Sequence, residues 1–253
     1  MELSRFNAVG LITGATSGVG RACADAMALR SQGGLILVDP QEKALSAVAD
    51  DLEGNAPERV SMLAFDPGDA DRWAQAAEFI RAHYGRIDWA VINATGAPSG
   101  GPSDLVEWRR VLPTQLEAVV RILRVVIPLM ANNTLGGAIA VVAPAAALTP
   151  GKNAKAGLVE LIRAAGAEAK AANVRVNAVA FEGKESPLWK KAPWYADLVR
   201  QCGGDAGAAA RIAKLQTPLV RHDADPVSLA MTLLSDEMAL NGVTLIVDGA
   251  AKA

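Results

Sequence analysis

Short apolar runs alternate with longer segments of helical pattern along most of this chain of 253 residues. Most of the runs are apolar at every position, which is typical of parallel strands that are covered on both faces. Strands are predicted at residues 8–13, 35–39, 60–65, 89–93, 138–143, 174–180 and 243–247. Helices are predicted between them at residues 18–31, 41–52, 70–83, 103–130, 152–171 and 226–236. This alternation predicts one α/β domain over residues 1–253, with a doubly wound, seven-stranded parallel sheet and helices on both faces.

Charge and cysteine content exclude several classes of partner. Lys and Arg number 25 against 27 Asp and Glu, a net charge of −2, whereas binding to a phosphate backbone needs a basic surface. No apolar run reaches the roughly 18 residues that span a bilayer, and the N-terminus lacks the pattern of a signal peptide. Cys23 and Cys202 are too few for a disulfide framework, and His83 and His222 lack the spacing of metal ligands. We expect a soluble, cytoplasmic protein that binds no nucleic acid, membrane or metal.

A glycine-rich turn, TGATSGVG at residues 13–20, follows the first predicted strand directly and precedes a helix. Glycines let the backbone approach a pyrophosphate closely, and the amides of a helix N-terminus bind its charge. Ligands of such sheets bind beyond the C-terminal ends of the strands, where this turn falls. The alternative is a plain strand–helix turn, which this context disfavours. The predicted nucleotide contacts in the turn are Gly14, Thr16, Ser17, Gly18, Val19 and Gly20.

The turn, with three residues between its first two glycines, resembles the short-chain dehydrogenase/reductase family, and the resemblance continues along nearly the whole chain. It implies a Rossmann-type fold in which Asp39, 19 residues after Gly20, binds the adenosine ribose. A carboxylate there would repel a 2′-phosphate and Ser17 supplies no positive charge, so NAD is favoured over NADP. For Asp66, which matches the family's adenine contact, a cap of the next helix is the alternative. The further cofactor contacts that the resemblance implies are Asp66, Asn93, Ala94, Gly96, Lys155 and Ser186.

The family's catalytic positions, by contrast, have largely changed chemistry. Lys155 matches the Lys that the family uses. Four residues before it, Gly151 stands where a Tyr exchanges the hydroxyl proton in the family. Pro144 falls at the position of the Ser that orients the substrate, and Gln115 at that of the Asn of the proton relay. The resemblance therefore implies an intact adenine end of the site and a rebuilt nicotinamide end.

Two functions stay open at this point. The first is an NAD(H)-binding protein with impaired catalysis that acts as a ligand-binding protein or as a subunit partner. The second is an active NAD-dependent oxidoreductase, acting on an alcohol, a ketone or an activated double bond, whose proton donor is Lys155, Lys152 or water. Neither Tyr84 nor Tyr195 has a Lys four residues later, and Tyr84 is predicted to be a packing residue. A scaffold that has lost the nucleotide is disfavoured by the glycine turn.

Two further segments carry expectations about partners. The segment of about residues 183–216 corresponds to the family's substrate lid. It is predicted to cover a small-molecule ligand or to pack against a neighbouring subunit. The helices at residues 113–130 and 152–171 match those that pair across the family's dimer axis. We expect a homodimer or homotetramer, with a hetero-oligomer containing an active homologue as the alternative.

Overall fold

A computed structural model describes residues 7–16, 18–53, 59–93, 105–131, 133–144, 152–181, 200 and 226–247. The strands expected from the apolar runs are all present, and each predicted end lies within two residues of the observed one. β5 and β6 run one residue further than predicted and end at Pro144 and Phe181. The strands are β1 (Gly10–Thr13), β2 (Leu35–Val38), β3 (Val60–Leu63), β4 (Trp89–Asn93), β5 (Gly137–Pro144), β6 (Val174–Phe181) and β7 (Thr244–Val247).

The six predicted helices are also present, and their ends follow local chemistry. α3 begins after Asp69, whose carboxylate accepts hydrogen bonds from the backbone N–H groups of Asp71 and Arg72. A 3₁₀ turn, Lys170–Ala172, follows α5 directly. No helix in the described part of the chain is long and apolar enough to cross a membrane. The helices are α1 (Gly18–Arg30), α2 (Glu42–Glu53), α3 (Ala70–His83), α4 (Leu105–Met130), α5 (Lys152–Ala169) and α6 (Pro226–Leu234).

All seven strands form one parallel sheet in the order β3-β2-β1-β4-β5-β6-β7. This order confirms the predicted doubly wound α/β fold. The chain winds outward in one direction from β1 to β3 and in the other from β4 to β7, so the direction changes between β1 and β4. In sheets of this kind the crevice beyond the C-terminal strand ends at that point binds ligands. The fold therefore places the glycine turn, which follows β1, at the expected binding edge.

The central strands are largely apolar because helices cover both faces of the sheet. Leu11 and Ile12 are neighbours in β1, and both are fully buried. Leu11 belongs to the core cluster on the side of α3, α4 and α5, which also contains Trp73. Ile12 belongs to the core cluster on the side of α1, α2 and α6, which also contains Met27. Neither face of a central strand can therefore be polar without losing core contacts.

The edge of the sheet opposite the glycine turn is fixed by a buried carboxylate and a packed tyrosine. Asp88, which directly precedes β4 and is 2% exposed, accepts hydrogen bonds from Val9 N at 2.8 Å and from Arg86 Nε at 3.0 Å. Tyr84 covers Gly34, where a Cβ atom would overlap the tyrosine ring. The Tyr84 hydroxyl also forms a 2.6 Å hydrogen bond with the hydroxyl of a serine on β3. The prediction that Tyr84 is a packing residue is confirmed.

Candidate functional site

The turn between β1 and α1 is shaped by two glycines in the left-handed region. Gly14 has φ of 65° and Gly18 has φ of 57°, which glycine adopts without steric cost. Gly14 N donates to Val38 O at 2.8 Å, and this bond ties the start of the turn to β2. A Cβ atom at Gly18 would meet no described atom within 4 Å. Among the described residues, the space over Gly18 is therefore open at the N-terminus of α1, a place that favours an anion.

Gly20 and Asn93 fix the inner side of the turn. A Cβ atom at Gly20 would overlap the carbonyl oxygen of Gly14, so α1 can approach the turn this closely only with glycine there. Asn93, the last residue of β4, donates from its backbone N to Thr13 Oγ1 at 3.0 Å. Its Nδ2 lies 3.4 Å from Gly14 O. Its Oδ1 is buried and has no hydrogen-bond partner among the described residues, which leaves an acceptor at the switch point.

Asp39 lies directly after β2 and reaches the same turn. Its Oδ2 accepts hydrogen bonds from Thr16 Oγ1 at 2.8 Å and from Thr16 N at 3.2 Å. Its Oδ1 accepts from Gln41 N at 3.0 Å, which closes an Asx turn ahead of α2. Only 4% of the residue is exposed. The carboxylate is therefore held beside the glycine turn by donors from two chain segments.

Asp66 follows β3 at the same edge of the sheet and is exposed. Its Oδ1 accepts from Gly68 N at 2.8 Å. The alternative that Asp66 caps the next helix is wrong, because Asp69 caps α3. Asp69, three positions after Asp66 in the same loop, has the correct spacing to accept from the first free N–H groups of the helix. Asp66 stays a predicted adenine contact.

Three of the positions that match the family's catalytic residues lie in described elements, and only their backbone is described. Pro144 ends β5 and pairs with Phe181 of β6. Lys155 lies in the first turn of α5 and Gln115 in the middle of α4. A Cβ atom at Gly157 would lie 3.2 Å from Leu116 Cδ1, so the beginning of α5 packs against the middle of α4.

Several predicted site residues, or their side chains, lie outside the described part of the chain. Of the predicted cofactor and catalytic residues, those outside the described part of the chain are Ser17, Ala94, Gly96, Gly151 and Ser186. Tyr195 and the segment 183–216, apart from Arg200, also lie outside it. The side chains of Gln115, Pro144, Lys152 and Lys155 lie outside it as well. Within the described residues no group of three or more His, Cys, Asp or Glu is arranged to hold a metal ion.

Two residues of the site were missed by the sequence analysis. Thr13 bonds to Asn93 across the switch point, and its signal was a hydroxyl at the last position of an otherwise apolar strand. The backbone N–H of Gln41 donates to Asp39. The indication in the sequence was that an Asp stands two residues before the polar residue at which a helix is predicted to begin. Both signals are common in proteins without a ligand, which is why neither residue was singled out.

These features fit the adenosine and pyrophosphate half of a dinucleotide. Open space lies at Gly18, where the phosphates would meet the amides of a helix N-terminus. The carboxylate of Asp39 stands at the end of the neighbouring strand, where a ribose would lie. The buried Oδ1 of Asn93 adds an acceptor beneath the turn.

Comparison with known proteins identifies the family. The model of short chain dehydrogenases matches residues 8–194, which is more than half of the chain. The chain belongs to the short-chain dehydrogenase family. The resemblance inferred from the sequence is thereby confirmed, and with it an NAD(P)-binding fold of the oxidoreductase class.

Curated and solved members of the family resemble this short-chain dehydrogenase over most of its length. The 3-oxoacyl-[acyl-carrier-protein] reductase of Thermotoga maritima is 28% identical over 72% of this chain and 76% of its own. The cis-4-hydroxycyclohexanecarboxylate dehydrogenase of Sinomonas cyclohexanicum is 28% identical over 95% of both chains. The structure of L-sorbose reductase from Gluconobacter frateurii with NADPH and L-sorbose is 27% identical and superposes with a TM-score of 0.82, over 99% of this chain and 98% of that chain.

Proposed function

We propose that this short-chain dehydrogenase binds NAD(H) in preference to NADP(H) but is impaired in alcohol and ketone chemistry, and that it acts as a ligand-binding protein or subunit partner. A bound nicotinamide supplies a hydride donor or acceptor. The observation that carries the proposal is that a proline ends β5 at Pro144, where the family has a serine. Pro144 is the last residue of β5, where it pairs with Phe181, and this end of the strand is where the resemblance puts the serine.

Impairment follows from the proton that accompanies each hydride. Oxidation of a carbinol releases a hydroxyl proton, and reduction of a carbonyl takes one up, so a positioned acid or base is needed. Proline at 144 and glycine at 151 offer no side-chain donor or acceptor. Loss of a general acid or base costs about 10² to 10⁴ in rate. We therefore expect a turnover rate about 10² to 10⁴ below that of relatives that have all four catalytic residues.

The preference for NAD rests on the charge of Asp39. The carboxylate is 96% buried and accepts three hydrogen bonds, so its negative charge is fixed next to the turn. A 2′-phosphate placed on the ribose would meet this charge at close range. The NADPH in L-sorbose reductase belongs to that protein and does not decide the preference of this chain.

Calorimetric titration with NADH and with NADPH, followed by turnover with a panel of ketones and alcohols, tests the proposal. We expect micromolar binding of NADH, weaker binding of NADPH, and slow or undetectable turnover. Asp39→Asn is expected to remove the preference, and thermal unfolding checks its fold, because the amide keeps the shape of the side chain but only one of its two acceptor oxygens. Turnover comparable with that of ordinary family members, or tighter binding of NADPH than of NADH, contradicts the proposal.

The alternative is an active oxidoreductase with another proton donor. It is favoured by the relatives, which are a reductase and a dehydrogenase, and by the position of Lys155 beside α4 at the binding edge. Lys155→Ala and Lys152→Ala are a matched pair in one turn of α5. Turnover that falls in the first variant and persists in the second supports Lys155 as donor. Turnover that is indifferent to both supports water.

We propose a second copy of the chain as the partner of the α4–α5 face. This face carries a groove of about 410 Å³ whose lining includes Arg124 from α4 and Glu168 from α5. Neither side chain has an ion pair with another described residue. In a two-fold interface, a contact between residue i of one copy and residue j of the other occurs twice. Arg124 of each copy can therefore pair with Glu168 of the other.

Light scattering after size-exclusion chromatography tests this assembly. The wild type is expected to be a dimer or tetramer, Arg124→Glu to dissociate it, and the double change Arg124→Glu with Glu168→Arg to restore it. A wild type that stays monomeric contradicts self-association and favours the hetero-oligomer with an active homologue. A small ligand under the segment 183–216 and a cytoplasmic location belong to the same proposal, and they are tested by ligand screening and by cell fractionation.

A further inference from the structure

Asp39 has most of its hydrogen-bonding capacity already engaged within the protein. An ionised carboxylate has about four acceptor sites. Three of them receive protons from Thr16 Oγ1, Thr16 N and Gln41 N. A ribose presents two hydroxyls on neighbouring carbons, so Asp39 alone has too few free sites to accept from both.

The hydroxyl of Thr16 supplies what Asp39 lacks. Its single proton points to Asp39 Oδ2, at an oxygen–oxygen distance of 2.8 Å. A hydroxyl that donates its proton keeps its two lone pairs as acceptors. Thr16 is only partly buried, whereas Asp39 is 4% exposed. Thr16 is therefore the more accessible of the two residues, and its oxygen can accept but not donate while Asp39 holds its proton.

We infer that Thr16 and Asp39 form an acceptor-only pair that selects a ribose with free hydroxyls over a 2′-phosphorylated ribose, with Thr16 as a specificity-determining residue. A ribose diol donates two protons and meets two acceptors. A 2′-phosphate at neutral pH carries negative charge and needs donors, and this pair offers none to it. The inference rests on the proposed binding of NAD(H), and it adds the residue that sets the preference together with Asp39.

The orientation of the Thr16 proton depends on the charge of Asp39. Without the carboxylate, the Thr16 hydroxyl could rotate and donate to a phosphate oxygen. Without the hydroxyl, Asp39 Oδ2 would keep only the 3.2 Å bond from Thr16 N, and the carboxylate would hold its position less firmly. The two residues are therefore expected to act on nucleotide preference as one unit.

Thr16→Val and Thr16→Ser separate this role from simple packing. Valine has the shape of threonine and keeps the backbone N–H, whereas serine keeps the hydroxyl and loses a methyl group. Titration with NADH and NADPH is expected to show NADH binding weakened about tenfold in Thr16→Val, as for loss of one charge-assisted hydrogen bond. NADPH binding is expected to change by less than about threefold, so the ratio of the two dissociation constants falls. Thr16→Ser is expected to keep the wild-type ratio.

A double-mutant cycle with Asp39→Asn provides the second readout. In the Asp39→Asn background, Thr16→Val is not expected to weaken NADH binding further, because the pair is already broken, and any change in the ratio comes from NADPH, which loses the released hydroxyl as a donor. Thermal unfolding without nucleotide checks that each variant folds. A purely structural role would weaken NADH and NADPH equally and would not be rescued by serine.

The outcomes distinguish this inference from the proposed function. If the wild type prefers NADH and Thr16→Val keeps that preference, the inference is overturned while the proposed function stands. If Thr16→Val weakens both nucleotides alike, Thr16 is structural and the inference is also overturned. If the wild type prefers NADPH or binds neither nucleotide, the proposed function fails and this inference fails with it.

Discussion

Gly18 and Gly85 form a natural pair for testing whether the open space at the glycine turn is a ligand site. Both residues have positive φ, 57° and 72°, and a Cβ atom at either would meet no described atom within 4 Å. Gly18 is the first residue of α1, at the predicted nucleotide site. Gly85 lies between α3 and β4, at the opposite edge of the sheet. Alanine at either position therefore imposes the same backbone cost, and only one of the two methyl groups enters the predicted site.

The expected loss of stability is the same for Gly18→Ala and Gly85→Ala. A left-handed backbone costs a non-glycine residue about 1–2 kcal/mol. In a domain of this size, each kcal/mol lowers the melting temperature by about 2–4 °C. Both variants should therefore melt about 2–8 °C below the wild type in the absence of nucleotide.

Nucleotide affinity should separate the two variants. Titration with NADH is expected to show at least about tenfold weaker binding to Gly18→Ala, because the methyl group occupies the space in which the phosphates approach the backbone. Gly85→Ala is expected to bind NADH as the wild type does. Wild-type affinity in Gly18→Ala, or an equal loss in both variants, would refute the reasoning that the open space at Gly18 is where the pyrophosphate binds.

Three further predictions concern the groups that hold the site and the sheet. Gly20→Ala is expected to lower the melting temperature more than Gly18→Ala, since its methyl group overlaps a carbonyl oxygen of the turn and forces the backbone to move; an equal or higher melting temperature contradicts this. Asp88→Ala should cost about 2–4 kcal/mol in chemical denaturation, because it removes the acceptor of the buried Val9 N–H and the ion partner of the half-exposed Arg86, whereas Asp51→Ala, which removes an exposed ion pair, should cost at most about 1 kcal/mol. Tyr84→Phe should cost about 0.5–1.5 kcal/mol for the lost hydroxyl bond, and a neutral effect in denaturation would show that this bond adds nothing.

The fold could be predicted because its strongest determinant is a pattern of burial. A strand covered on both faces is apolar at nearly every position, as the runs that precede Thr13 and Asn93 are, and repetition of that pattern with helices between is typical of a parallel α/β sheet. The glycine turn was recognisable for a similar reason. Its left-handed backbone and the close approach of α1 to the turn tolerate few residues other than glycine.

The polar contacts of the site were harder to predict because they depend on distances between separate elements. Thr16 and Asp39 are 23 residues apart, and nothing in the sequence states that their side chains meet. Asp66 and Asp69 were hard to assign for another reason, since they are close together in the sequence. Two carboxylates in one loop have nearly equal propensity to cap α3, and the choice between them depends on the angle at which the loop enters the helix.

The glycine turn and the positions that match the family's catalytic residues lie in different elements, so the proposed impairment of catalysis is compatible with nucleotide binding. The glycine turn is held by Val38 of β2 and by Asn93 of β4, through contacts to Gly14. Of the described catalytic positions, Gln115 lies on α4, Pro144 on β5 and Lys155 on α5, and none of them makes these two contacts. Substitutions such as the proline at 144 can therefore accumulate without loosening the turn. A protein of this kind should bind NADH with ordinary affinity and turn over slowly, whereas one that had become a mere scaffold should have lost the acceptors at Asp39 as well.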